Sequence, residues 1–210
     1  MKLYSYWRSS ATYRVRIALH LKGLDFDTIP VNLLAGEQHG ADHLSRNSLG
    51  RVPVLETGSR RLSQSLAILE FLEQHSPSPA LLPTSADQAL LVRQAALMLA
   101  TDVHPINNLG VTNQLEAQFG ATPAAKADWM RYWMRAGLLA YQDLISPDDP
   151  FCFGAQPTWA DLCLIPQLYN AHRWALDFSG LDRLLEIEER CLALPAFQRA
   201  VPEAQPDATN

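Results

Sequence analysis

The segment SPSPALLPTSAD, residues 76–87, carries three prolines and divides the chain into two regimes. Proline fixes its own φ and offers no amide, so neither a helix nor a central strand runs through such a stretch. Before it, short apolar runs alternate with helical patterns. Strands are expected at residues 3–7, 26–33, 52–56 and 61–64, with helices at 10–22 and 65–75. The order is β-α-β followed by β-β-α. After it the pattern is helical: Val92, Ala95, Ala96, Leu99 and Val103 trace one face, and further helices fit residues 123–145, 158–174 and 181–192. The expectation is an α/β domain over residues 1–80 and an all-α domain over residues 87–210.

Composition narrows the function classes. At 210 residues and 48% hydrophobic, the chain can bury a substantial core. A formal net charge of −5 and the lack of any long Lys/Arg run leave no basic footprint for nucleic acid. The start, MKLYSYWRSS, is too polar for a signal peptide, and no stretch approaches the ~18 apolar residues of a membrane span, so no membrane association and a cytoplasmic location are expected. Three cysteines, Cys152, Cys163 and Cys191, have neither the number nor the spacing of a disulfide scaffold or a thiolate metal site.

Several local patterns carry structure or chemistry. Ser9 and Ser10 precede a helical run in which Ala11, Val15, Ala18 and Leu19 share a face, with Gly23 as a stop. Serines here cap a helix, and equally they stand where unpaired amides stabilise an anion, a thiolate above all. RVPVLETG places Pro53 before a strand, and QSLAILEFL puts Gln64 and Ser65 at another helix start. With a cis bond before Pro53, Val52 would offer its backbone to an extended peptide while Ser65 and nearby amides took a carboxylate. Thr158 and Asp161 have capping-box spacing, and Pro166 inside the same helix should kink it ahead of Arg173. His39 and His43 have i, i+4 spacing without a third ligand, so no metal is expected. Arg14 and Arg16 read as ion-pairing residues on different helix faces, and Trp129, Tyr132 and Trp133 as core or dimer contacts.

On YSYWRSSATYRVRIALHLKG, GEQ at 36–38, NSLGRVPVLE, LSQSLAILEFLE, HPINNL, PTWADLCLIPQLYNAHRWALD and the closing AFQRAVPEAQPD, the chain resembles the zeta-class glutathione S-transferases, the class of maleylacetoacetate and maleylpyruvate isomerases. The resemblance spans almost the whole chain and implies the glutathione transferase fold, with a thioredoxin-like first domain and an all-helical second domain contributing the acyl-substrate site. Many members open with SSC, whereas this chain has Ser9-Ser10-Ala11.

The resemblance further implies that glutathione brings the sulfur. Ser9 would donate a hydrogen bond to the thiolate, with Ser10 as its neighbouring alternative. Gln38 would contact the glycine end, Val52 the cysteinyl backbone, and Gln64 and Ser65 the γ-glutamyl carboxylate. Asp102, His104, Asn107 and Asn108 lie on the segment that members use to complete the site, often across a homodimer interface; Asp102 is equally readable as a helix-surface charge. The implied reaction turns maleylacetoacetate into fumarylacetoacetate in aromatic amino-acid catabolism, by thiolate addition, rotation about the resulting single bond and elimination. Arg8 and Arg173 are the candidates for gripping a small dicarboxylate. Isomerisation of maleylpyruvate, conjugation or dehalogenation of α-haloacids, and a catalytically idle interaction module are the other readings.

Overall fold

The structure, a computed structural model, describes residues 1–209. The chain forms two compact units. Met1–Leu81 joins with the chain from Leu192 onward in the first, and Leu82–Cys191 makes the second. The sequence reading put all of residues 87–210 in one helical domain; the structure instead returns the last segment to the first unit. The physical reason is a buried guanidinium. Arg16 donates to the carbonyls of both Trp7 and Ala200 at 3.0 Å, tying the segment to the helix it packs on.

In the first unit, β1 (Lys2–Ser5) pairs parallel with β2 (Asp27–Pro30) and antiparallel with β3 (Val54–Thr57), and β3 pairs antiparallel with β4 (Arg60–Ser63). The strand order is β2-β1-β3-β4. This is the expected β-α-β and β-β-α arrangement, with strands shorter than their apolar runs. β1 stops at Ser5 because the main chain of Trp7 is engaged elsewhere. Helices α1 (Ser10–Leu21) and α3 (Ser65–His75) start where the serines predict, joined by a short α2 (Ala41–Leu44) between β2 and β3. Lys22 has a buried side chain that pairs with Glu73 at 3.0 Å and donates to the carbonyls of Ser76 and Pro79. The proline-rich segment is thus anchored where it begins.

The second unit is helical. It comprises α4 (Ala86–Leu97), α5 (Leu109–Phe119), α6 (Pro123–Leu144), α7 (Trp159–Arg173) and all but the last residue of α8 (Asp182–Leu192). The closing helix α9 (Pro195–Ala200) belongs to the first unit, where it packs on α1. Helix α7 runs unbroken through Pro166 and is buried along nearly its whole length, packed on α4. The capping box is present as expected. Asp161 is fully buried and accepts from the amides of Thr158 and Cys152 and from the Thr158 hydroxyl. Burial raises its pKa while these donors act in the opposite sense. Between α4 and α5 the chain makes a π-helical turn over Met98–Val103, closed by the His104 amide on Leu99 O at 2.9 Å, and a short 3₁₀ turn over Pro105–Asn107. Gly137 on α6 lets this turn approach: a methyl built there would overlap Val103. No helix among the described residues is long and apolar enough to cross a membrane.

Candidate active site

Register places the first unit's functional segments together. Tyr4, Val54 and Ser63 lie in one row across the sheet, and Ser5 pairs with Pro30 in the parallel ladder. The chain leaving β1, the chain leaving β2, the chain entering β3 and the chain leaving β4 therefore meet at one end of the sheet, with neighbouring strands about 4.8 Å apart. Those four segments carry Arg8, Ser9 and Ser10; Gln38; Val52; and Gln64 and Ser65. Helices α1 and α3 both begin at that end.

Ser9 is the N-cap of α1, its oxygen accepting from the Thr12 amide at 3.2 Å. Capping uses a lone pair, so the hydroxyl proton stays available for an anion placed outside the helix start. Ser10 is the first helical residue. Arg8 lies with its guanidinium carbon 4.1 Å from the centre of the Trp7 ring, a cation–π contact that sets its position.

At the start of α3 the chain turns from strand to helix in one residue. Gln64 has φ +72°, a left-handed conformation costly for a side chain with a Cβ and found where a site requires it. No side chain caps this helix. The amides of Leu66 and Ala67 take no partner among the described residues, leaving a mouth of donors for a carboxylate. Behind it, the buried Arg14 donates to Ser65 Oγ at 3.1 Å. Sequence reasoning missed this contact. Arg14 and Arg16, expected as ion-pairing residues on separate faces, both lie inside the unit. Their spacing, two residues apart on a helix with small and apolar neighbours, was the signal available.

The Val52–Pro53 bond is cis, the condition under which the sequence reading let Val52 offer its backbone. Val52 stands outside the ladder, and its main-chain N–H and C=O take no partner among the described residues. Gln38 sits in a 3₁₀ turn over Glu37–His39, and its Oε1 is buried without a hydrogen-bond partner among the described residues. The loop is held close by Gly50, at φ +62°, where a Cβ would come within 2.9 Å of His39 Nδ1. His39 is exposed in that turn and His43 is buried on α2 with Nε2 on Arg51 O, so the pair serves two different environments.

The remaining predicted residues belong to the second unit. Asp102 is exposed on the π-helical turn, and His104 follows it. Asn107 is buried and donates to Val103 O at 3.0 Å, while Asn108 caps α5 through the Gly110 amide at 2.7 Å. Arg173 is exposed at the end of α7, its Nη1 donating to Asn170 Oδ1. The three cysteines are unlinked and buried, and burial raises the pKa of the Cys152 and Cys191 thiols. Among the described residues, no group of three or more His, Cys, Asp or Glu is arranged to hold a metal.

A sheet end carrying a serine-capped helix start, an uncapped helix start and a stretch of unpaired backbone entering a strand can hold an extended anionic peptide. Residues 1–74 match the glutathione S-transferase N-terminal domain family. The chain is 45% identical to the maleylacetoacetate isomerase of Rhizobium meliloti (strain 1021), over 96% of this chain and 95% of that one. It matches the holo structure of a bacterial maleylpyruvate isomerase of the zeta class with a TM-score of 0.97, at 40% identity and full coverage of both chains. It also matches the maleylacetoacetate isomerase of Anaeromyxobacter dehalogenans 2CP-1, solved with dicarboxyethyl glutathione and citrate bound in its active site, with a TM-score of 0.88 at 41% identity, over 99% of this chain and 93% of that one. The chain belongs to the maleylacetoacetate isomerase family of zeta-class glutathione S-transferases.

Proposed function

We propose that the protein is a glutathione-dependent cis–trans isomerase of a maleyl diacid, with maleylacetoacetate as first substrate and maleylpyruvate as second. The observation that carries this reading is the convergence at one sheet end of the Ser9 hydroxyl, the unpartnered Val52 main chain and the open start of α3, where the chain has no thiol of its own. These groups suit a short anionic peptide. Val52 can pair with its backbone as a strand would, the Ser65 hydroxyl and the α3 amides can take its α-carboxylate, and the orphaned Gln38 Oε1 can accept from the amide N–H of its glycine end.

When bound, glutathione supplies a thiol whose addition to the substrate double bond and later loss permit rotation from cis to trans. The chain supplies the rest. Ser9 would donate a hydrogen bond to the sulfur and, with the start of α1, favour its ionised form; Ser10 is the neighbouring donor. Arg8, held on Trp7, would grip a substrate carboxylate, and Arg173 is the other candidate cation. A cation there offsets the repulsion between two anionic reactants and the charge that develops on the carbonyl. Asp102 and His104 are assigned to glutathione from the neighbouring copy of a homodimer, with Asn107 and Asn108 shaping the segment that carries them. The exposed Leu90, Leu91 and Leu97 on α4 support self-association. Three unlinked cysteines suit the reducing cytoplasm. A maleylacetoacetate substrate places the enzyme in tyrosine catabolism.

The test is absorbance-followed isomerisation of both diacids with and without glutathione, with free thiol counted before and after. Turnover that needs glutathione and returns it intact supports the proposal. Stoichiometric thiol loss would assign conjugation, the chemistry used on α-haloacids, instead.

A further inference from the structure

The closing motif AFQRAVPEAQPD has no part in the site described above, yet the structure ties it to the residues that precede Ser9. Three contacts do so. The Trp7 amide donates to Asp207 Oδ2 at 3.0 Å, a bond between residues 200 apart in sequence. The Trp7 carbonyl accepts from Arg16 Nη2 at 3.0 Å, and the same guanidinium donates to Ala200 O through Nε. Gln205, itself buried, donates to the carbonyls of Arg199 and Val201 and so holds the segment between Ala200 and Asp207 in its turn.

Both main-chain polar groups of Trp7 are therefore committed, one directly to this segment and one to the arginine that grips it. What Trp7 carries is the proposed chemistry. Its ring seats the Arg8 guanidinium, and the Tyr6 carbonyl one residue before it accepts from the Ser9 amide at 2.9 Å, closing the turn that aims the Ser9 hydroxyl. A carboxylate on a main-chain N–H is a charge-assisted bond, stronger and more directional than the solvent contact that would replace it. Phe197, fully buried, anchors the segment so that the carboxylate arrives in a fixed place.

We infer that Asp207 is a positioning residue for the reaction, acting through the Trp7 amide to set where Ser9 and Arg8 point. The inference rests on the assignment of Ser9 and Arg8 under the proposed function. Loss of the Asp207 carboxylate removes no group assigned to glutathione or substrate but loosens the turn that aligns them, and small misalignments of reacting groups cost rate more than affinity.

The experiment compares Asp207→Ala and Asp207→Asn with the unaltered protein and with Ser9→Ala. Hydrogen exchange at the Trp7 amide reads the bond itself, independently of any function. Ultraviolet titration of bound glutathione reads the thiolate, and initial rates separate kcat from KM. In Asp207→Ala, Trp7 exchange should quicken by about tenfold or more, the bound thiol should titrate at higher pH, and kcat should fall roughly ten- to a hundredfold with KM for glutathione changed by less than about threefold. Asp207→Asn keeps an acceptor oxygen and should fall between, which preserves the test if the alanine variant folds poorly. Adding Asp207→Ala to Ser9→Ala should move the titration no further. Faster exchange with unchanged kcat and titration would overturn the inference, as would unchanged exchange. A Ser9→Ala protein that titrates like the unaltered one would instead remove the Ser9 assignment, a different failure read on a different variant.

Discussion

The guanidinium of Arg14 donates to the hydroxyl of Ser65 at 3.1 Å in the interior of the first unit, behind the open start of α3. A hydroxyl that accepts from a cation on its inner side has its own proton left for a partner on the outer side. The pair thus orients a donor and places positive charge behind a carboxylate site. Arg14→Met, which keeps an unbranched apolar stem and loses the donor, should raise KM for glutathione about tenfold or more, the range for a lost charge-assisted contact of ~1.5–3 kcal/mol. The kcat at saturating glutathione should change little. Initial rates at varied glutathione check this, and an unchanged KM would remove Arg14 from the binding site.

Ser9 has two tasks that substitution can separate. Ser9→Ala removes both the cap, costing about 1 kcal/mol, and the donor to sulfur. Ser9→Asp keeps the cap and removes the donor, since a carboxylate only accepts. Urea unfolding should therefore show Ser9→Asp as stable as the unaltered protein, while ultraviolet titration shows the bound thiol at higher pH in both variants. Ser10→Ala should move the titration less than either. If Ser10→Ala moves it more, the roles of the two serines are exchanged.

Gly137 is required by the close approach of α6 to the π-helical turn that carries Asp102. Gly137→Ala forces a methyl into Val103 and should destabilise the protein by about 1–3 kcal/mol, the usual cost of overpacking. Val103→Ala added to it should recover part of that loss by vacating the overlapped space. Urea midpoints of the two single variants and the double variant measure the coupling. Additive losses would show that the two residues do not share that space.

His20, half-buried near the end of α1, has its pKa lowered from 6.5 by burial first, then by the Arg199 and Arg16 guanidinium groups. Its folded pKa lies below its unfolded one, so between those values the unfolded chain binds more protons. Stability is then fully present above the unfolded pKa and is lost as pH falls through 6.5 toward the folded value. His20→Gln should flatten the pH dependence of the urea midpoint between about pH 5 and pH 7.5, the range in which histidine titrates. An equally steep fall in the variant would assign the dependence to another group.

What could be read in advance follows from how local each signal is. The start of α1 is set by a capping serine beside a periodic apolar run, and α3 begins at Ser65 as expected, although no side chain caps it. The Thr158–Asp161 box is likewise complete within four residues. Helices α5 and α9 were not expected: the first follows the π-helical turn, and the second is a short helix held by packing on α1. Arg14 and Arg16 resisted because charged residues are rarely buried, and their partners come from elements 51 and 184 residues away. The same distance hid the contact of Asp207 with Trp7. Its motif was visible, and its partner was not.

The three buried cysteines have a consequence for durability. A maleyl diacid is an electrophile toward sulfur, and any enzyme that handles such compounds all day risks being alkylated by its own substrate. Here Cys152 and Cys191 are kept protonated by burial, Cys163 is equally enclosed, and the position after the two serines is Ala11. Thiols in that state are poor nucleophiles. On the proposed mechanism the sulfur that meets the electrophile belongs to a diffusible molecule, so a mishap that leaves the adduct uneliminated consumes one glutathione and spares the protein.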